Sequence, residues 1–176
     1  VLVHAFGDPW VIEGQGSAGI EIAAQLGREP SRILACCGGG GLAAGLALAC
    51  PESAIVPVEP EGWDVVGQAL AAGHVVPVGN DPPQTICDAL QPPETKPINL
   101  AVRRGRAEPG VAVTDDEVRE AQRFAFSRLR LVVEPGGAAA LAAALGGKVP
   151  LDEHTVVMLT GGNTDPASYA ATLAGR

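Results

Sequence analysis

The sequence predicts an α/β fold with a doubly wound, mainly parallel sheet flanked by helices. Three observations predict it. Arg32–Cys37 and Ala54–Val58 are continuous apolar runs, as expected of strands covered on both faces. A helical stretch follows each, at Leu42–Ala49 and about Trp63–Ala72, which is the spacing of strand–helix–strand crossovers. Aromatic residues make up only 3% of a chain that is 47% hydrophobic, so the core should consist of small side chains packed closely between helices and sheet.

The other elements follow in order. Val1–Ala5 reads as a short buried strand. Asp8-Pro9 opens a helix, with Asp as N-cap and Pro in the first turn, and the helix is expected to reach Leu26 and stop at Gly27. Val75–Gly110 holds seven of the fifteen prolines and little periodicity, so it reads as irregular, with short elements around Thr85–Leu90 and Ile98–Val102. Thr114-Asp115-Asp116-Glu117 is a capping box for a helix to about Leu129. Val132-Val133 reads as a short strand, Pro135–Leu145 as an Ala-rich helix, and Thr155–Leu159 as a strand. Thr160–Asn163 reads as a tight turn and Pro166–Ala174 as the last helix. The 176 residues are enough for one domain, taken as 1–176.

A net charge of −8 disfavours nucleic acid and anionic membranes as partners, because both require a basic patch. No apolar stretch is long enough to span a bilayer. Cys36, Cys37, Cys50 and Cys87 lack the spacing of a zinc site, and an adjacent pair is a poor start for a disulfide framework. They are expected to be buried thiols in a reducing, cytoplasmic protein.

The strongest local signal is Gly38-Gly39-Gly40-Gly41 between a strand and a helix. A helix N-terminus presents unpaired N–H groups and the positive end of a dipole, and glycines let the backbone approach an anion. A phosphate site is therefore expected, with a plain tight turn as the alternative. The loop is not a nucleotide P-loop, since no Lys-Ser/Thr pair follows. A dinucleotide site is harder to dismiss. Gly39, Gly41 and Ala44 satisfy GxGxxA, and Glu59 ends the next strand, where a ribose-binding acid belongs.

Several separated segments decide against it. They are HAFGDPWVIEGQGSAGIEI (His4–Ile22), CCGGGGLAAG (Cys36–Gly45), VEP (Val58–Pro60), TICDAL (Thr85–Leu90), VVEPGGAAALAA (Val132–Ala143) and LTGGNTD (Leu159–Asp165). Together, in this order, they resemble the pyridoxal-phosphate (PLP) enzymes of the tryptophan synthase β-like fold, fold type II, especially serine/threonine dehydratases. The EPGGA and TICDAL forms resemble catabolic, hydroxyectoine-utilisation dehydratase-like members.

The resemblance implies roles residue by residue. Gly38, Gly39, Gly40 and Gly41 would hold the PLP phosphate through backbone amides. Thr160 would contact the pyridine nitrogen; its alternative is to cap the turn before Gly161-Gly162. Glu134 would lie near the cofactor ring; its alternative is to cap the helix that begins at Pro135. Glu59 would be a ligand of a divalent cation in some members, although the carboxylate expected six residues on is replaced by Val65. Ala89 stands where dehydratases and racemases commonly have Gly, which would narrow the pocket. His4, His74 and His154 lack ligand or triad spacing and are read as structural or surface residues.

PLP chemistry requires a lysine. The only lysines are Lys96 and Lys148, and neither has the neighbours that the family places around its catalytic lysine. That lysine, with the loop that grips the substrate carboxylate, normally precedes the point where this chain begins. The fold is thus expected to be incomplete at its N-terminus, with the lysine-bearing lobe in cis or on another chain. Exposed apolar surface and a homo-oligomer, in the simplest case a dimer, are expected with it. The implied reaction is dehydration and deamination of a small hydroxy amino acid such as L-threonine or L-serine. A racemase or threonine synthase of the same fold, a dinucleotide oxidoreductase, and an inert partner-binding fragment are the alternatives.

Overall fold

The computed structural model describes residues 2–103 and 108–175. Its strands are β1 (Arg32–Cys36), β2 (Ala54–Pro60), β3 (Val111–Val113) and β4 (Thr155–Val157). They form one parallel sheet in the order β3-β2-β1-β4. The helices are α1 (Pro9–Gln15), α2 (Ser17–Leu26), α3 (Gly41–Ala49), α4 (Val65–Ala72), α5 (Pro97–Arg103), α6 (Asp115–Phe124), α7 (Pro135–Leu145) and α8 (Pro166–Leu173).

Alternation along β1 divides the core into two layers. Ile33, Ala35 and Cys37 pack with Leu46 of α3 and with Val65 and Val66 of α4. Leu34 and Cys36 pack on the other face with α7 alanines and with Val118 and Ala121 of α6. This is the doubly wound arrangement that the apolar runs predict. Helix α7 is buried from Gly136 through Ala143, wedged between the sheet and α6, which accounts for its run of alanines. Helix α6 carries the predicted capping box and continues through a π-helical turn, Ala125–Leu129.

Four expectations change. Residues 2–4 form no strand: among the described residues no member of the sheet runs beside them, and the His4 Nδ1 accepts from the Gly7 amide at 3.1 Å, which bends the segment into a turn. The single helix expected from Asp8 to Leu26 is two, broken at Gly16. There the helix presses so closely on α3 that a Cβ would lie 3.0 Å from the Gly45 carbonyl oxygen. Val132-Val133 is not a strand, although Glu134 N–H still bonds the Gly161 carbonyl at 2.9 Å. Strand β3 went unread, because three residues after a Pro-rich stretch carry too little pattern.

All four cysteines are buried and none forms a disulfide. Burial pushes the Cys36 thiol above its ordinary range and the Cys87 thiol up to about 12. Among the described residues, no helix is long and apolar enough to cross a membrane. The folded chain should therefore react negligibly with a thiol reagent such as Ellman's at pH 8, and all four thiols should titrate once it is unfolded in guanidinium. Fast labelling of the native protein would contradict this burial.

Candidate functional site

β1 is central, with β2 on one side and β4 on the other, so chain connections diverge at its carboxyl end. In open parallel sheets such a switch point makes a crevice. Leu34 is in register with Val157, so Thr160 leaves β4 level with Cys37, one residue before the glycine loop. Neighbouring strands are about 4.8 Å apart. The glycine loop and Thr160, 119 residues apart in sequence at Gly41, thus come from adjacent strand ends.

The loop is shaped by what surrounds it. Gly40 has φ +97°, a left-handed conformation that favours glycine, and it caps α3 without any side-chain hydrogen bond. The first-turn amides of α3 therefore remain for a ligand. A Cβ at Gly39 would overlap the Phe6 ring, and one at Gly41 would lie 3.0 Å from the Phe6 Cα. The Gly39 carbonyl accepts 2.8 Å bonds from Thr95 Oγ1 and Asn99 Nδ2. The short 3₁₀ turn Asp88–Leu90 closes another side: a Cβ at Gly38 would meet the Ala89 carbonyl at 3.4 Å, and one at Gly136 the Ala89 methyl at 3.6 Å. Ala89 itself is exposed at this mouth.

Thr160 is exposed at the strand end, beside the Cys36 thiol. That thiol also donates to the Gly137 carbonyl at 3.3 Å and accepts from the Ala140 amide at 3.4 Å. Burial raises its pKa, outweighing the Ala140 amide and the Thr160 hydroxyl, so it stays neutral and places no charge beside Thr160. Glu134 does not cap α7 through its side chain. Its carboxylate turns to the 160–163 turn, accepts from the Asn163 amide at 2.9 Å, and occupies the space a Gly161 Cβ would need. α7 thus also begins without a side-chain cap, and the N-termini of α3 and α7 both flank the end of β1.

Glu59, read from sequence as a ribose or cation ligand, lies against the start of α4. It is fully buried, and its two carboxylate oxygens accept 2.8 Å bonds from the Val66 and Gly67 amides. An anion is stabilised at a helix N-terminus, so Glu59 holds α4 in place. That role accounts for its burial without a ribose or a cation. Among the described residues, no group of three or more His, Cys, Asp or Glu side chains could hold a metal ion. Lys96 pairs with Glu94 at 2.7 Å, and Lys148 pairs with Glu117 at 2.8 Å near the far end of α7.

Four residues at the crevice had been given no part in it from the sequence: Phe6, Cys36, Thr95 and Asn99. Thr95 and Asn99 lie in the Pro-rich stretch, 56 and 60 residues from Gly39, and no local pattern links them to it. Phe6 lies in a segment that the resemblance had already marked.

Residues 1–161 match the family model described as pyridoxal-phosphate-dependent enzyme. The chain belongs to this family. Among its PLP-dependent relatives is a phenylserine dehydratase of Ralstonia pickettii, 36% identical over 98% of this chain and 54% of its own length. Another is an L-threo-3-hydroxyaspartate ammonia-lyase of Saccharomyces cerevisiae, 32% identical over 99% of this chain and 54% of its own. A solved threonine deaminase, from T.th., superposes with a TM-score of 0.85 at 38% identity, covering 93% of this chain and 61% of that one. Maize serine racemase superposes at 0.86 with 29% identity, covering 99% and 55%. The fold is therefore that of the tryptophan synthase β-like PLP enzymes, and the chain spans about half the length of the curated relatives it matches. The cradle fits the family cofactor: uncapped amides around Gly38–Gly41 suit a phosphate, and a neutral hydroxyl on the next strand suits a pyridine nitrogen.

The Glu134–Gly161 contact is testable. Gly161→Ala should lower stability by about 1–3 kcal/mol in urea unfolding, because its methyl displaces the Glu134 carboxylate. In Glu134→Ala the same change should cost much less, so a double-mutant cycle should show strong coupling between the two sites. Additive effects would show that the carboxylate does not fill that space.

Proposed function

We propose that residues 1–176 are the cofactor-holding domain of a PLP-dependent lyase. It would act on a small β-hydroxy amino acid such as L-threonine or L-serine and yield a 2-oxo acid and ammonia. The observation that carries this reading is the juxtaposition of an uncapped glycine-loop helix and the Thr160 hydroxyl at the ends of adjacent parallel strands. Relatives named for dehydration and for ammonia loss support the reaction class.

The bound cofactor would supply an electron sink for charge developing at the substrate α-carbon. This chain's residues hold and tune it. The amides of Gly38–Gly41 bind the phosphate, helped by the positive end of α3. The Thr160 hydroxyl donates to the pyridine nitrogen without a full proton transfer; an Asp there would hold a charged ring and a stronger sink. That weaker sink suits elimination, in which the β-hydroxyl leaves soon after the α-proton. Glu134 holds the turn that aims Thr160, and Ala89 bounds the mouth of the pocket. A lysine supplied by polypeptide outside these residues, in cis or on another chain, would bond the cofactor and move the α-proton, and the assembled enzyme would be a homo-oligomer, in the simplest case a dimer. The serine racemases among the relatives make racemisation the second reading.

The test is to express the chain together with the lysine-bearing half and to record the cofactor absorption band before and after L-threonine and L-serine. A band that shifts with substrate while 2-oxo acid accumulates supports the lyase. Formation of the D-amino acid without 2-oxo acid favours the racemase, and no cofactor band at all sinks both.

A further inference from the structure

The carbonyl of Gly39 is the most firmly held group of the glycine loop. Thr95 Oγ1 and Asn99 Nδ2 each donate to it at 2.8 Å, and both side chains are buried, at 0% and 1% exposure. Two donors on one carbonyl oxygen use both of its lone pairs. The Gly39–Gly40 peptide is planar and trans, so its N–H points opposite to its C=O. With the oxygen fixed on Thr95 and α5, the Gly40 N–H is aimed away from them. The left-handed φ at Gly40 then turns the following amides into the first turn of α3.

A second observation separates this clamp from ordinary packing. Among the described residues, no group hydrogen-bonds the buried Asn99 Oδ1. Rotating the amide would not relieve it, because that would set Oδ1 against the Gly39 carbonyl oxygen, acceptor against acceptor. A leucine has the same branched arrangement of heavy atoms and strands no acceptor. Asparagine at this position is thus a poor choice for stability and a good one for holding a single peptide in one direction.

We propose that Thr95 and Asn99 are positioning residues that preset the glycine-loop peptide for the cofactor phosphate. The proposal deepens the reading given above and rests on it. Presetting the loop removes the ordering that the phosphate would otherwise have to impose on binding.

The test uses the enzyme with its lysine-bearing half, and compares wild type with Thr95→Val, Asn99→Leu and Thr95→Ser. PLP and pyridoxal, which lacks the phosphate, are titrated into each apo-protein, and urea unfolding is followed without cofactor. Thr95→Val and Asn99→Leu should each raise the Kd for PLP about three- to tenfold, the loss expected for one hydrogen bond. Their Kd for pyridoxal should stay at the wild-type value, and Thr95→Ser should restore PLP binding. Asn99→Leu should unfold at a urea concentration no lower than wild type. Unchanged PLP binding in both variants, or equal losses for PLP and pyridoxal, would overturn the proposal and leave the lyase reading standing. A wild-type protein that binds PLP no better than pyridoxal would remove the phosphate site itself, and the proposal with it. If Thr95→Val does not fold, Thr95→Ala, which leaves a gap instead of a misplaced methyl, takes its place.

Discussion

The turn from β1 into α3 is the constraint on which the crevice depends. A helix that starts directly at a strand end can leave its first amides open only if the backbone reverses within two or three residues. Gly40 does this at φ +97°, where a side chain would be strained. The residues on either side have no more freedom: the Phe6 side chain lies where a Cβ of Gly39 would project, and its backbone lies close to Gly41. Glycine is thus required at successive positions for different reasons, one conformational and the others steric. Once the turn is made, α3 faces the crevice with its amides unused, and β4 brings Thr160 alongside by ordinary strand pairing.

Close packing of small groups then joins the loop to the Thr160 turn. Cys36, the last residue of β1, reaches the Gly137 carbonyl and the Ala140 amide of α7 and touches Thr160. Gly137 approaches so closely that a Cβ would lie 2.7 Å from the Gly161 backbone. The Ala-rich helix can enter the middle of the molecule because its sides are thin. Interiors packed at this density transmit displacements instead of absorbing them, so the two ends of a ligand would be gripped by parts of one rigid body.

Much of the site was legible before the fold. Gly38–Gly41 announced themselves because a glycine run between a strand and a helix has few purely structural uses. Thr160 and Glu134 were marked by resemblance, and their surroundings give each a definite partner, Cys36 for Thr160 and Asn163 for Glu134. Glu59 could not be placed from sequence for a physical reason. An acid at a strand end looks the same in sequence whether it faces a ribose, a cation or the next helix. Only the path of the chain after Pro60 shows that the amides of α4 come back onto it. The break at Gly16 was equally hidden, because it arises from contact with Gly45 on another helix.

The sequence by itself determined the layering, the parallel sheet and the position of the glycine loop. These follow from apolar periodicity and backbone freedom, which are properties of neighbouring residues. Tertiary structure alone decided which side chains brace the loop, because Thr95 and Asn99 reach Gly39 across more than fifty residues of irregular chain. It also decided that Glu59 holds a helix, and that Phe6 covers the glycines. Hydrogen bonds and steric contacts of this kind depend on where two distant segments meet, and no local pattern encodes that meeting.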